Sequence, residues 1–188
     1  GGCGYIGSAL LPLLQDEEGV EEITVLDSLE SGSPRNLLEA ELGEDLAFRR
    51  GDVREYGDVE SAMRGADTVI HLAAITGASS THDRREETFA VNRDGSTNVF
   101  TAAQKLGIEN VVFASSCNNY GRTTSTDIDE ETEMEPLNPY AETKVESERD
   151  LVAHVEDGSF DGTALRMATN FGYSPGVRFN LVVNLFVF

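Results

Sequence analysis

Short runs rich in Val and Ile recur along the chain, bounded by Gly and Asp, and each is separated from the next by a helical pattern. The predicted strands are Glu22–Asp27 (EITVLD), Leu46–Gly51 (LAFRRG), Asp67–Ala73 (DTVIHLA), Glu109–Ser116 (ENVVFASS) and Thr163–Met167 (TALRM). Such runs fit strands buried on both faces of a parallel sheet. Tyr5–Glu17 and Tyr56–Arg64 are predicted helices. After Phe89, the residues Asn92, Ser96, Val99, Ala103 and Leu106 fall at spacings of three and four, which is one face of a helix. Asn138 and Pro139 supply an N-cap and a first-turn proline for a helix to about His154. This alternation implies right-handed crossovers and an α/β fold with a doubly wound parallel sheet.

The chain opens on Gly1-Gly2-Cys3-Gly4-Tyr5-Ile6-Gly7, where Gly4 and Gly7 pair with Gly2 as GxGxxG or with Gly1 as GxxGxxG. Glycines keep such a turn tight and let backbone N–H groups approach a pyrophosphate at a helix N-terminus. Asp27 ends the next strand, 20 residues past Gly7. There a carboxylate accepts both ribose hydroxyls of an adenosine and repels a 2′-phosphate, so NAD is expected over NADP. A Gly-rich turn of this kind follows a strand, yet nothing precedes Gly1, and Leu181–Phe188 is apolar with no stop signal. A Rossmann-type domain lacking its first strand is therefore expected. Its strands should lie in the order 46–51, 22–27, the place of a preceding strand, 67–73, 109–116 and 163–167. Residues 1–167 are read as the NAD-binding domain and 168–188 as the start of a substrate-binding portion.

Tyr140-Ala141-Glu142-Thr143-Lys144 puts Tyr140 and Lys144 at i and i+4, one above the other on a helix. A tyrosine is a poor base at neutral pH, with a pKa of about 10. A lysine ammonium beside it, with oxidised nicotinamide, would stabilise the phenolate. The phenolate then takes a proton from a substrate hydroxyl as hydride leaves the same carbon. Lys144 is one of only two lysines, with Lys105. Ser116 ends a strand, at the sheet edge where ligands bind, and could orient the substrate oxygen. Asn92 lies among apolar positions, so it is either satisfied locally or a polar tether for the strand ends.

Composition narrows the partners. The 34 acidic against 14 basic residues give a net charge of -20, which should repel nucleic acid and anionic membranes. It suits a high-salt cytoplasm, where screening relieves self-repulsion. No apolar run reaches the roughly 18 residues of a bilayer span. Cys3 and Cys117 make no disulfide framework, and with His71, His82 and His154 they show no metal-ligand spacing, so no metal is expected.

Together these segments resemble the extended short-chain dehydrogenase/reductases of the NAD-dependent epimerase/dehydratase family, over almost the whole chain. GGCGYIG is similar to the family's cofactor turn. DSLESG, from Asp27, resembles its ribose-binding segment, and Gly51-Asp52-Val53 its adenine-contacting strand end. His71-Leu72-Ala73-Ala74 is similar to the segment that passes under the cofactor. Ser115–Gly121 (SSCNNYG) and YAETK resemble the catalytic segments. The resemblance implies catalytic Ser116, Tyr140 and Lys144, and a cofactor held by Gly1, Gly4, Tyr5, Ile6, Gly7, Asp27, Asp52, Val53, Leu72, Ala73, Ala74, Asn92, Tyr140 and Lys144. It implies Ser116, Thr169 and Asn180 as substrate contacts. By the same resemblance, 4,6-dehydratases carry an Asp-Glu pair after the catalytic hydroxyl, where this chain has Cys117 and Asn118. Epimerisation of a UDP-sugar is therefore expected at C4. Decarboxylation, reduction of another carbonyl substrate and a non-catalytic cofactor-binding role are the alternatives. A homodimer through the helices after Glu86 and after Asn138 is a further implication. Asn170 stands where an apolar residue or proline would be expected and has no account.

Overall fold

The structure is a computed structural model that describes residues 1–40, 45–122 and 127–187. It runs α1 (Tyr5–Gln15), β1 (Ile23–Asp27), a 3-10 turn at Pro34–Leu37, β2 (Leu46–Arg50), α2 (Tyr56–Met63) and β3 (Thr68–His71). Then come α3 (Ala78–His82), α4 (Arg85–Thr88), π-helical turns at Phe89–Asp94, α5 (Gly95–Leu106) and β4 (Asn110–Ser116). A 3-10 turn at Cys117–Tyr120, α6 (Pro139–Glu156), β5 (Asp161–Met167) and α7 (Val182–Val187) complete it.

Among the described residues every strand pairing is parallel. β2 pairs with β1, and β3, β4 and β5 pair in that order, with Ser115 opposite Arg166 and Ser116 opposite Met167. The break between β1 and β3 falls where the sequence places a preceding strand. Gly1 stands there, bonded to Leu26 O and so close to the end of β3 that an added Cβ would meet Ala73 N at 2.5 Å.

The main core lies between β3–β4 and helices α2, α5 and α6. Phe100 and Phe113, both fully buried, meet edge to face at 5.8 Å between centroids. Removing either ring should cost about 3–5 kcal/mol, because close-packed neighbours cannot collapse into the space. A smaller core of Cys3, Leu11, Val25, Leu37 and Leu46 fixes α1 against β1 and β2.

Asn138 caps α6 as its sequence predicts, its Oδ1 accepting from Ala141 N at 3.0 Å. The helix expected from Phe89 begins earlier, at Arg85, and widens into π turns that carry Asn92. Such turns are rare and collect at functional sites. The short α3 and α7 were not predicted, since pieces of five and six residues show no periodicity and form only by tertiary packing.

Candidate functional site

A cleft of about 610 Å³ opens along the carboxyl ends of β1, β3, β4 and β5. One wall is backbone. The first turn of α1 has no side-chain cap and its residues Tyr5, Ile6 and Gly7 line the cleft, so a helix N-terminus of the kind that receives anions faces the site. Gly7 packs directly on the turn, and a Cβ there would lie 2.6 Å from Gly2 Cα and O. Asp27 is buried on this wall. Its Oδ2 accepts from Cys3 N at 3.0 Å and its Oδ1 from Leu29 N at 2.8 Å, which fixes the carboxylate at the turn. Asp52, Val53, Leu72, Ala73 and Ala74 continue the wall. The Asp52 carboxyl is held below its ordinary pKa by Arg54, whose Nε donates at 3.0 Å.

The opposite wall carries side-chain chemistry. Tyr140 lines the cleft, and burial pushes its phenol pKa up, against a hydrogen bond from Ser116 and the charge of Arg178. Lys144 is buried one turn on. Its Nζ donates to Ala114 O at 2.7 Å and sits 4.5 Å from the centre of the Phe113 ring and 5.8 Å from that of Tyr140. Burial lowers its pKa to about 7, with Glu148 opposing. The expected lowering of the Tyr140 pKa by Lys144 is thus not what the free site has. Desolvation outweighs the neighbouring charges, and the lysine proton is turned to a carbonyl.

Of the residues singled out by sequence, Asn92, Ser116 and Asn180 are not on the cleft wall, whereas Thr169 is. Ser116 lies just behind, facing Tyr140. Asn92 is buried one layer deeper. Its Oδ1 accepts from Ile75 N at 2.8 Å, and its Nδ2 donates to Ile75 O at 3.0 Å and to Thr143 Oγ1 at 3.2 Å. These bonds join the segment after β3 to α6. Asn180 is exposed. The buried amide of that segment is Asn184, which donates to Tyr5 Oη and Arg178 O, both at 3.1 Å, and accepts from Gly172 N at 3.0 Å. Ser8 and Ser174 hydroxyls meet at 2.9 Å, so residues 172–184 are strapped across α1. His71, buried and bonded to Ser96 at 2.9 Å, is kept neutral by burial, with a pKa near 3.

Sequence reasoning did not single out Arg178, which lines the cleft and donates to Thr76 Oγ1, nor Glu148 and Arg166 behind Ser115. Glu148 was within reach, since residues 140, 144 and 148 share one helical face. Among the described residues, no group of three or more His, Cys, Asp or Glu could hold a metal, and no helix is long and apolar enough to cross a membrane.

A sequence model of the NAD dependent epimerase/dehydratase family matches residues 1–184. The UDP-glucose 4-epimerase of Bacillus subtilis is 32% identical over 95% of this chain and 53% of its own length. The dTDP-glucose 4,6-dehydratase of an Actinoplanes species is 30% identical over 92% of the chain and 56% of its own. Among solved structures, a dTDP-glucose 4,6-dehydratase from Streptomyces venezuelae with NAD bound superposes with a TM-score of 0.91 at 29% identity, covering 100% of this chain and 59% of that one. A UDP-glucose 4-epimerase from Brucella ovis in complex with NAD gives 0.79 at 27% identity, over 88% and 49%. The chain thus spans about half the length of the curated relatives it matches.

Proposed function

The chain belongs to the NAD-dependent epimerase/dehydratase family, and from that premise we propose that the protein containing it is a nucleotide-sugar 4-epimerase using NAD and a UDP-sugar. The observation that carries the choice over dehydration is the pair after Ser116. Cys117 and Asn118 line the cleft with Tyr140, and a thiol and an amide cannot supply the acid and base that elimination of water needs at neutral pH.

The chain's own residues fit the cofactor. The glycine cradle leaves no room for a Cβ, the first turn of α1 offers a helix N-terminus to a pyrophosphate, and Asp27 presents a fixed carboxylate to a ribose. NAD, when bound, supplies a reversible hydride acceptor at the sugar carbon. Tyr140 Oη takes the proton of the sugar 4-hydroxyl and returns it to the same oxygen when C4 is reduced again from its opposite face. Ser116 orients the same oxygen, and Lys144, protonated beside bound substrate, stabilises the phenolate. Thr169 is read as a sugar-nucleotide contact, as is Asn180 once the remaining protein is in place. We also read residues 168–188 as the start of a substrate-binding portion, whose last residue, Phe188, lies outside the described residues. A homodimer through α4–α5 and α6 and a cytoplasmic, high-salt setting belong to the same reading.

The test is turnover of UDP-glucose and UDP-galactose by the intact protein, with and without added NAD. Interconversion without net NAD consumption is expected. Stoichiometric consumption of cofactor would point to a reductase instead, and release of a 4-keto-6-deoxy sugar to a dehydratase.

A further inference from the structure

Glu148 continues the face of α6 that carries Tyr140 and Lys144, and it is only 5% exposed. Its carboxylate is saturated. Oε1 accepts from the Ser115 hydroxyl and from Asn119 Nδ2 at 2.9 Å. Arg166 closes the group from β5, with Nε 3.1 Å from each oxygen and Nη2 2.7 Å from Oε2. Asn119 Nδ2 also donates to Ser115 Oγ at 3.0 Å, and Arg166 Nη1 to Tyr120 Oη at 2.8 Å.

The neighbours of each partner matter most. Ser115 precedes Ser116, Asn119 belongs to the turn that begins at Cys117, and Arg166 precedes Met167, which lines the cleft. One carboxylate therefore holds three segments whose adjoining residues build the reaction wall. Stability is a weak reason for such a pair, because desolvating two charges offsets most of their attraction and apolar replacements often do as well. Position is the better reason, because a displacement of about 1 Å at a catalytic group lowers rate steeply.

We propose that Glu148, clamped by Arg166, is the positioning residue of the site, holding Ser116 and the Ala114 carbonyl in register with Tyr140 and Lys144. This rests on the epimerase reading. Glu148 lies behind the cleft wall and does not line it, so its loss should act on the rate of the chemical step and spare ground-state binding.

The test compares intact protein with Glu148→Gln, Arg166→Lys and the outer-face control Glu146→Gln in conversion of UDP-galactose. Glu148→Gln should lower kcat by about tenfold or more, while KM and the Kd for NAD change by less than about threefold. Arg166→Lys keeps the charge, loses the forked geometry and should fall between. Glu146→Gln should leave kcat unchanged. A folded Glu148→Gln protein with kcat within about threefold of wild type overturns the proposal. If Glu148→Gln does not fold, Ser115→Ala carries the test: a kcat loss of about threefold or more supports the clamp and an unchanged kcat overturns it. Wild-type protein that turns over no UDP-sugar sinks the epimerase reading alone. Crystal structures then decide: loss of the Ser116–Tyr140 contact in Glu148→Gln supports the clamp, and an unmoved Ser116 overturns it.

Discussion

The two walls of the cleft are built on different principles. The cofactor-side wall, from Gly1 to Gly7 and on through Asp27 and Ala73, is mostly main chain and small side chains. Its tolerances are steric, and added atoms would meet backbone at 2.5–2.6 Å. The reaction wall, from Ala114 to Asn118 and along α6, depends on two titratable side chains sunk into the protein, with Lys144 brought down to about 7 and the Tyr140 phenol pushed up. A wall defined by shape fails when anything is added to it. A wall defined by buried charge fails when a group is removed or its proton moves. Substitutions can separate the two.

The largest effect is expected from Tyr140→Phe, which keeps the ring and removes the acid/base group. Turnover should vanish while NAD binding survives, and residual activity within about tenfold of wild type, about 1.4 kcal/mol of barrier, would break the division. Gly7→Ala is the mirror case. Its methyl must displace the Gly2 backbone, so NAD affinity should fall by about a hundredfold, or about 2.7 kcal/mol. Unchanged affinity in a calorimetric titration would show the cradle to be pliable. Asp27→Asn leaves the shape and removes the charge, so the preference for NAD over NADP should shrink by about tenfold with little loss of NAD affinity. Tighter binding of NADP than NAD by the unmodified protein would overturn the role of Asp27.

Much of both walls was legible beforehand. The five strands, the cap at Asn138 and the Tyr140–Lys144 pair follow from local patterns, and the structure has them within a few residues. Thr169 lines the cleft. What escaped depends on distant partners. The value of Glu148 lies in Ser115, Asn119 and Arg166, which no spacing rule joins. Asn184, rather than Asn180, is buried because the chain doubles back onto Tyr5, a separation of 179 residues. The pKa of Lys144 could not be read from its neighbour Tyr140, because burial among Phe113 and the ends of the strands sets it.

A weaker effect tests the charged wall through stability. In NAD-free protein the folded Lys144 pKa, about 7, lies below its unfolded value of about 10.4. As pH falls through that window the unfolded chain binds a proton that the folded chain does not, so folding is penalised progressively and fully by about pH 7. Lys144→Met removes the penalty, and its melting temperature relative to wild type should be higher at pH 7 than at pH 10. A gap independent of pH would mean that the lysine stays charged when buried. The smallest and most diffuse effect concerns the whole surface. The net charge of -20 should make the melting temperature rise as KCl goes from millimolar to molar, since the Debye length shrinks from about 30 Å at 0.01 M to about 3 Å at 1 M. A flat profile would remove the high-salt reading and leave both walls untouched.

Helix α6 has two faces with separate obligations. Inward, residues 140, 144 and 148 must arrive at fixed heights and angles. Outward, Glu142 and Glu146 pair with Arg85 and Arg93, and Asp150 accepts from Thr97, all at the surface. A single inserted residue between 140 and 148 would turn everything beyond it by about 100°, so the length of this stretch is frozen. Exchanges on the outer side alter no inward angle. Such a helix can follow its environment, gaining acidic residues one by one, while the inner row stays in step, so adaptation to surroundings and retention of chemistry draw on different letters of the same eighteen-residue word.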